Sequence, residues 1–121
     1  MQPEIVSFSQ PVTTEASAPA ADRLIAGNPR QSVANHFADP TQQFFAGRWM
    51  STRGKWRVLY TETEFCHITS GRVRIQSASG RVEEFSAGDS FVVPAGFEGS
   101  WEVLEDCSKL YVIFEAAAAQ P

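Results

Sequence analysis

Tyr60, Glu62 and Glu64 alternate along one stretch of the chain, Val58-Leu59-Tyr60-Thr61-Glu62-Thr63-Glu64-Phe65-Cys66. In a β-strand alternate side chains share a face, so Val58, the phenol, both carboxylates and the Cys66 thiol line up together. Glu62 and Glu64 would then stand roughly 6.5 Å apart, close enough in an apolar cavity for at least one carboxyl to take a raised pKa. Such a pair suits proton transfer, with Glu64 or Glu62 as general base or acid and Tyr60 or Lys109 stabilising developing negative charge. Lys109 and Tyr111 share a face of a later strand and offer a cation and a hydroxyl to an anionic ligand. Two plainer readings stay open: one glutamate pairs with Lys109 or an arginine and merely satisfies the interior, or Lys109 neutralises Glu62 or Glu105.

The other reactive side chains are few. His36 and His67 are the only histidines, and alternation from Glu64 turns His67 to the opposite face. A replacement metal site joining His36 to Glu62 and Glu64 is the one alternative the histidines allow; otherwise His36 is an ordinary strand residue. Cys66 and Cys107 are the only cysteines, too few for a disulfide scaffold, and they read as buried free thiols acting as small hydrophobes. Arg72, Arg74 and Arg81 alternate with Val73, Ile75 and Val82, the pattern of a solvated face. Gly88, Gly96 and Gly99 fall at strand turns and not ahead of a helix, so no phosphate-binding loop is indicated.

These residues must be positioned by strands. Short β-like runs cover 32–37, 43–49, 55–68, 72–76, 81–85, 90–93, 100–104 and 109–114. Turn residues separate many of them, at Ser70-Gly71, Ser77-Ala78-Ser79-Gly80, Ala87-Gly88-Asp89 and Pro94-Ala95-Gly96. Regular short strands of this kind, with no helix-period stretch, predict an all-β sandwich or barrel of one domain. A hydrophobic share of 43% and an aromatic share of 12% support a packed β-rich core. Residues 23–115 form that barrel. Ahead of them, 1–22 read as an arm or linker, small, polar and proline-containing over 9–22. Glu4-Ile5-Val6-Ser7-Phe8 at its start suggests a short strand pairing with a sheet edge of its own or another subunit, and so a homodimer. The tail 116–121 is too short to hold a helix alone.

Charge narrows the partners. A net charge of -4 gives no electrostatic footprint for nucleic acid or for an anionic membrane surface. The N-terminal residues lack the basic and apolar segments of a signal peptide, and no stretch approaches the ~20 apolar residues of a membrane span. A cytoplasmic location is the expectation.

The spacing of the turn residues resembles the cupin superfamily, whose barrels carry G-x5-H-x-H-x3-4-E-x6-G and G-x5-P-x-G-x2-H-x3-N. Glu64 lies seven residues before Gly71, and Gly88-Asp89-Ser90-Phe91-Val92-Val93-Pro94-Ala95-Gly96 satisfies the second motif up to its histidine. A narrower resemblance, to the (S)-ureidoglycine aminohydrolase-like cupins and the related ethanolamine-utilisation cupins, rests on Gly47-x-Trp49, Gly54-Lys55-Trp56, Tyr60 to Cys66, Gly96-Phe97-x-Gly99-x-Trp101-Glu102-Val103-x-Glu105 and Lys109-x-Tyr111-Val112-Ile113. The resemblance implies a single-domain jelly-roll barrel with Glu64, and with it Val58, Tyr60, Glu62 and Cys66, facing the cavity. It also implies inward-facing Trp101, Val103 and Glu105, with Trp101 as an apolar wall for a planar ligand or as plain core. The family's four metal positions fall on Val58, Tyr60, Glu64 and Gly99, and its asparagine position on Val103. One carboxylate does not make a transition-metal site, so no metal or other cofactor is expected, and Gly99 would leave room where a histidine would stand. The functional expectation is a metal-independent cupin that binds a small polar, nitrogen-containing metabolite between Tyr60, Glu62, Glu64, Trp101, Lys109 and Tyr111. A metal-dependent hydrolase with an atypical site and a non-catalytic subunit are the alternatives.

Overall fold

The computed structural model describes residues 2–117. Nine strands follow in order: β1 (Glu15–Ser17), β2 (Leu24–Gly27), β3 (Gln31–Ala38), β4 (Phe44–Ser51), β5 (Gly54–Leu59), β6 (Thr63–Ser77), β7 (Val82–Ser86), β8 (Ser90–Val93) and β9 (Glu98–Phe114). No helix occurs among the described residues, and so none is long and apolar enough to cross a membrane.

Two long strands organise the barrel. β6 and β9 run antiparallel from the Thr63–Phe114 pair to the Ser77–Gly99 pair, but their free edges change partners halfway. β9 pairs with β4 over 107–114 and with β5 over 98–103. β6 pairs with β8 over 64–67 and with β7 over 72–76. The shared strands therefore belong to two sheets, β1-β3-β4-β9-β6-β8 and β2-β5-β9-β6-β7, which curl toward each other. Between them packs a core of Trp56, Cys66, Ile68, Val73, Ile75, Val93, Trp101, Val103 and Cys107. This is a single-domain jelly-roll barrel: the turn spacing predicts a sandwich or barrel, and the family resemblance implies the jelly roll.

The passage from one sheet to the other occurs where a turn was expected. Ser70-Gly71 does not end a strand; β6 continues through it as a bulge, with register shifts against β9 between Ile68 and Val73. Gly71 has φ +82° and a Cβ there would meet the Asp106 carbonyl and the Cys107 Cα. Positive φ bends a bulged strand as readily as it closes a turn, so the sequence signal is the same for both. Likewise 100–104 and 109–114 are parts of the one strand β9, while the expected strand 55–68 is interrupted at 60–62, where Tyr60 exchanges backbone hydrogen bonds with Gly96 and Phe97.

The N-terminal segment departs furthest from expectation. Residues 4–8 form no strand; Phe8 instead stacks on His36 of the same chain at 4.5 Å. The strands lie in and after the stretch read as linker: 15–17 pair with 31–33, and Leu24–Gly27 pairs with β5. Edge pairing uses backbone groups only, so small polar residues can join a sheet without burying apolar surface. At the other end the Ala117 amide donates to Gln43 Oε1; 118–121 lie outside the described residues. The arginine face is as expected: Arg72 and Arg74 bridge to Glu84, Arg74 also to Glu102, and Arg81 to Glu83.

Candidate functional site

The inner surface where β4, β5, β6 and β9 meet holds a cavity of about 200 Å³ lined by Trp49, Trp56, Val58, Tyr60, Glu62, Glu64, Trp101 and Lys109, with Gln31 beside them. Its centre is an ion pair. Lys109 Nζ stands 2.9 Å from Glu64 Oε2, and both residues are only 5% exposed. The second Glu64 oxygen accepts a hydrogen bond of 2.9 Å from the Tyr60 hydroxyl. The ammonium also lies 4.7 Å from the Trp49 ring centroid and 4.4 Å from that of Trp101, and 3.7 Å from Cys66 Sγ. Each partner answers the cost of burying a charge: a carboxylate, two aromatic faces and a polarisable sulfur surround one cation.

Protonation follows from these contacts. Burial alone would push the Lys109 ammonium toward losing its proton, but the Glu64 carboxylate beside it and, to a lesser degree, Cys66 outweigh that and hold its pKa above the ordinary 10.5. Burial, then the Glu64 charge, raises the Tyr60 phenol, so it stays a donor. The Cys66 thiol is pushed up to about 12 by burial although Lys109 pulls the other way; it is fully buried and packs as a neutral member of the core. Glu62, partly exposed at the cavity mouth, is raised by burial first, then by Glu115 and Glu64. The Thr61 hydroxyl sits between Glu62 and Glu115, 3.4 Å and 3.1 Å from their Oε2 atoms.

Five of the six side chains singled out in the sequence come together: Tyr60, Glu62, Glu64, Trp101 and Lys109. Lys109 pairs with Glu64, not with Glu62 or Glu105. Tyr111 does not reach the cavity. It faces inward two residues beyond Lys109, but its hydroxyl crosses Gly47 and donates to Asn35 Oδ1 at 2.7 Å, a route open only because Gly47 has no side chain to meet it. Glu105 is exposed, because 104–106 lie at the corner where β9 has left β5 and not yet joined β4, and the alternation is broken there. Gly99 leaves no room in the cavity either: a Cβ there would collide with the Gln76 carbonyl of β6, so this glycine serves close strand approach.

His36 and the two glutamates are not brought together. Asn35, itself exposed, accepts the Tyr111 hydrogen bond, while its neighbour His36 is part-buried under Phe8 with its Nδ1 enclosed and without a hydrogen-bond partner. His67 faces away from the cavity as alternation requires and hydrogen-bonds Ser90 Oγ at 2.8 Å. Trp49, Trp56 and Gln31 are cavity residues that sequence reasoning did not single out. Trp56 was within reach, since it alternates with Val58 on the same strand. Trp49 is set opposite Lys109 by β4–β9 pairing, which local sequence does not encode. A larger groove of about 590 Å³ runs past Arg23, Arg57, Gln76 and Ser100, but it gathers no buried ionised group.

A barrel of two curled sheets sharing bent strands, with its functional groups on the inner faces, defines a cupin. The chain belongs to the EutQ-like cupin domain family, which matches residues 38–111. It is similar to a Pseudomonas syringae pv. tomato protein of unknown function from the DUF861 family, at 22% identity and a TM-score of 0.78 over 89% of this chain and 46% of that one. This chain thus spans about half the length of that relative. The Clostridium difficile EutQ protein aligns at 19% identity, TM-score 0.64, over 83% of this chain and 74% of that one. A putative ethanolamine utilization protein Q from Salmonella typhimurium aligns at 15%, TM-score 0.65, over 83% and 80%. These likenesses show the fold alone. The comparison with curated proteins found no match.

The donor set at the cupin metal position does not fit a divalent cation. Val58 and Gly99 offer no donor atom, the Tyr60 phenol is held protonated, and both Glu64 oxygens are engaged, one by an ammonium. Among the described residues no three His, Cys, Asp or Glu side chains converge. A cation entering here would have to displace Lys109 and would find Glu64 with only Glu62 as a second carboxylate, short of the three or four ligands a transition metal needs.

Proposed function

We propose that this chain is a metal-independent cupin that binds a small polar, nitrogen-containing metabolite in the cavity bounded by Tyr60, Glu62, Glu64, Trp101 and Lys109. The observation that carries the reading is the buried Lys109–Glu64 pair at 2.9 Å: a fixed ammonium stands against the surviving carboxylate where a metal would bind. The cavity volume of about 200 Å³ suits a ligand smaller than those of ordinary drug-sized pockets. Three tryptophans supply flat apolar walls and the ion pair supplies polar contacts that fix orientation. The nitrogen-containing class rests on the sequence resemblance to ureidoglycine aminohydrolase-like cupins and on the utilisation name of the Salmonella neighbour. In an enzymatic version Glu62 is the acid or base, because its raised pKa and position at the mouth leave it free to exchange a proton with a bound molecule. Tyr60 and Lys109 then stabilise negative charge on the ligand.

Thermal denaturation of chelator-treated protein against small amines, ureides, amides and carboxylates, ethanolamine among them, tests this. At ligand concentrations ~100 times the dissociation constant the midpoint rises by roughly 10 °C, and Val58→Phe, which fills the cavity, removes the rise. A panel without any shift contradicts ligand binding and leaves the filled structural barrel as the better reading.

A further inference from the structure

Among the described residues three buried side-chain polar atoms have no hydrogen-bond partner: Gln31 Nε2, His36 Nδ1 and Trp101 Nε1. His36 lies under Phe8, away from the cavity. The other two belong to side chains that line the cavity, one from β3 and one from β9. Both atoms are donors: the indole N–H can only donate, and the carboxamide nitrogen carries two protons. Folded chains pair nearly all such atoms, because a desolvated donor without an acceptor has lost its hydrogen bonds to water and gained none.

Around the Trp101 ring the core is apolar or aromatic, with the Trp49 and Phe91 centroids at 6.1 Å and 6.0 Å. Within the cavity the two Glu64 oxygens are taken by Lys109 and Tyr60. An acceptor for the indole must therefore enter from the cavity as part of a ligand. Charge limits what that acceptor can be. Lys109 is the one cation among the described lining residues, and Glu64 already neutralises it. At the mouth Glu62 and Glu115 flank the Thr61 hydroxyl, and among the described residues no cation pairs with either. An anionic ligand would bring a further negative charge beside these carboxylates with no free cation to receive it. A neutral oxygen carries no such cost, and an N–H on the same molecule gives Glu62 a donor.

We propose that Trp101 and Gln31 set the specificity of the cavity, and that its ligand is a small carboxamide whose carbonyl oxygen accepts from their N–H groups while its own N–H groups face Glu62. This rests on the ligand-binding reading above and narrows it from polar nitrogen compounds to neutral amides. Trp101 is then a donor as well as a flat wall.

Heteronuclear NMR titration of the full chain with propionamide, propionate and propylamine, probes of nearly equal size, tests the inference. Propionamide binds, and the indole cross-peak that is missing in Trp101→Phe moves downfield as that N–H donates to the carbonyl oxygen. Propionate and propylamine, each lacking one half of the amide, bind at least ~10-fold more weakly. Gln31→Met keeps the length of the side chain, removes its donor and weakens propionamide binding about 5-fold. Should Trp101→Phe fail to fold, sequential assignment of the wild type identifies the same cross-peak. Propionate or propylamine binding as tightly as the amide overturns the inference, and so does a bound amide that leaves the indole cross-peak unmoved; the binding reading survives both results. No binding of propionamide by a chain that binds another compound of the thermal panel also overturns the inference alone. A panel without any shift overturns the inference and the binding reading together.

Discussion

Lys109→Met lowers the free energy of unfolding by about 3–5 kcal/mol, far more than removing a surface lysine. The side chain lies in the barrel interior, 5% exposed, and its loss leaves Glu64, equally buried, with a charge opposed only by the Tyr60 hydroxyl. The volume change is small, so the cost is electrostatic. Lys109→Met combined with Glu64→Leu therefore recovers most of the loss, because the interior then holds neither charge. Urea unfolding followed by tryptophan fluorescence measures both. The pH dependence carries a fixed sign. Lys109 has its pKa raised on folding, so its contribution is fully present below the unfolded value of 10.5 and is lost as pH rises through the higher folded value. Wild type should weaken in that alkaline window and the double variant should lack this component. A Lys109→Met variant within ~1 kcal/mol of wild type would mean that the pair is hydrated and not buried.

Trp101→Ala costs about 3–5 kcal/mol, and here the loss is of packing. The ring is 2% exposed, meets Trp49 edge-on with centroids 6.1 Å apart, lies 6.0 Å from Phe91 and carries the Lys109 ammonium above its face. Trp101→Phe keeps a ring in place and separates the two roles of this residue. As core alone, Phe lowers the unfolding midpoint in urea and leaves ligand-induced stabilisation intact; as a cavity wall, it also reduces the ligand-induced thermal shift. Retention of full stability in Trp101→Ala would contradict the packing described.

The barrel was legible because its corners use residue types with few alternatives. Gly88 and Gly96 take φ +95° and +90° at the predicted turns, and Pro94 closes β8. The inward set of β5 and β6 was legible from period two, and it survives the interruption at 60–62 because Tyr60 is tied by backbone bonds to Gly96 and Phe97. Alternation failed where the chain changes sheets. Glu105 sits at the corner of β9, and Ser70-Gly71 reads as a turn although it bends a continuous strand. Tyr111 had the correct face but not the correct reach, since Gly47 opens a path to Asn35 that only cross-strand register reveals. The same register, not local sequence, puts Trp49 against Lys109.

In the function proposed above, the Lys109 ammonium paired with Glu64 takes the place that a metal holds in other cupins. Elemental analysis of protein purified without an affinity tag or chelator tests it most directly. Less than ~0.1 transition-metal ion per chain is expected, since Glu64 is already paired with Lys109 and Glu62 is the one other carboxylate lining the cavity. A stoichiometric transition metal in the wild type that disappears in Glu64→Ala would contradict it.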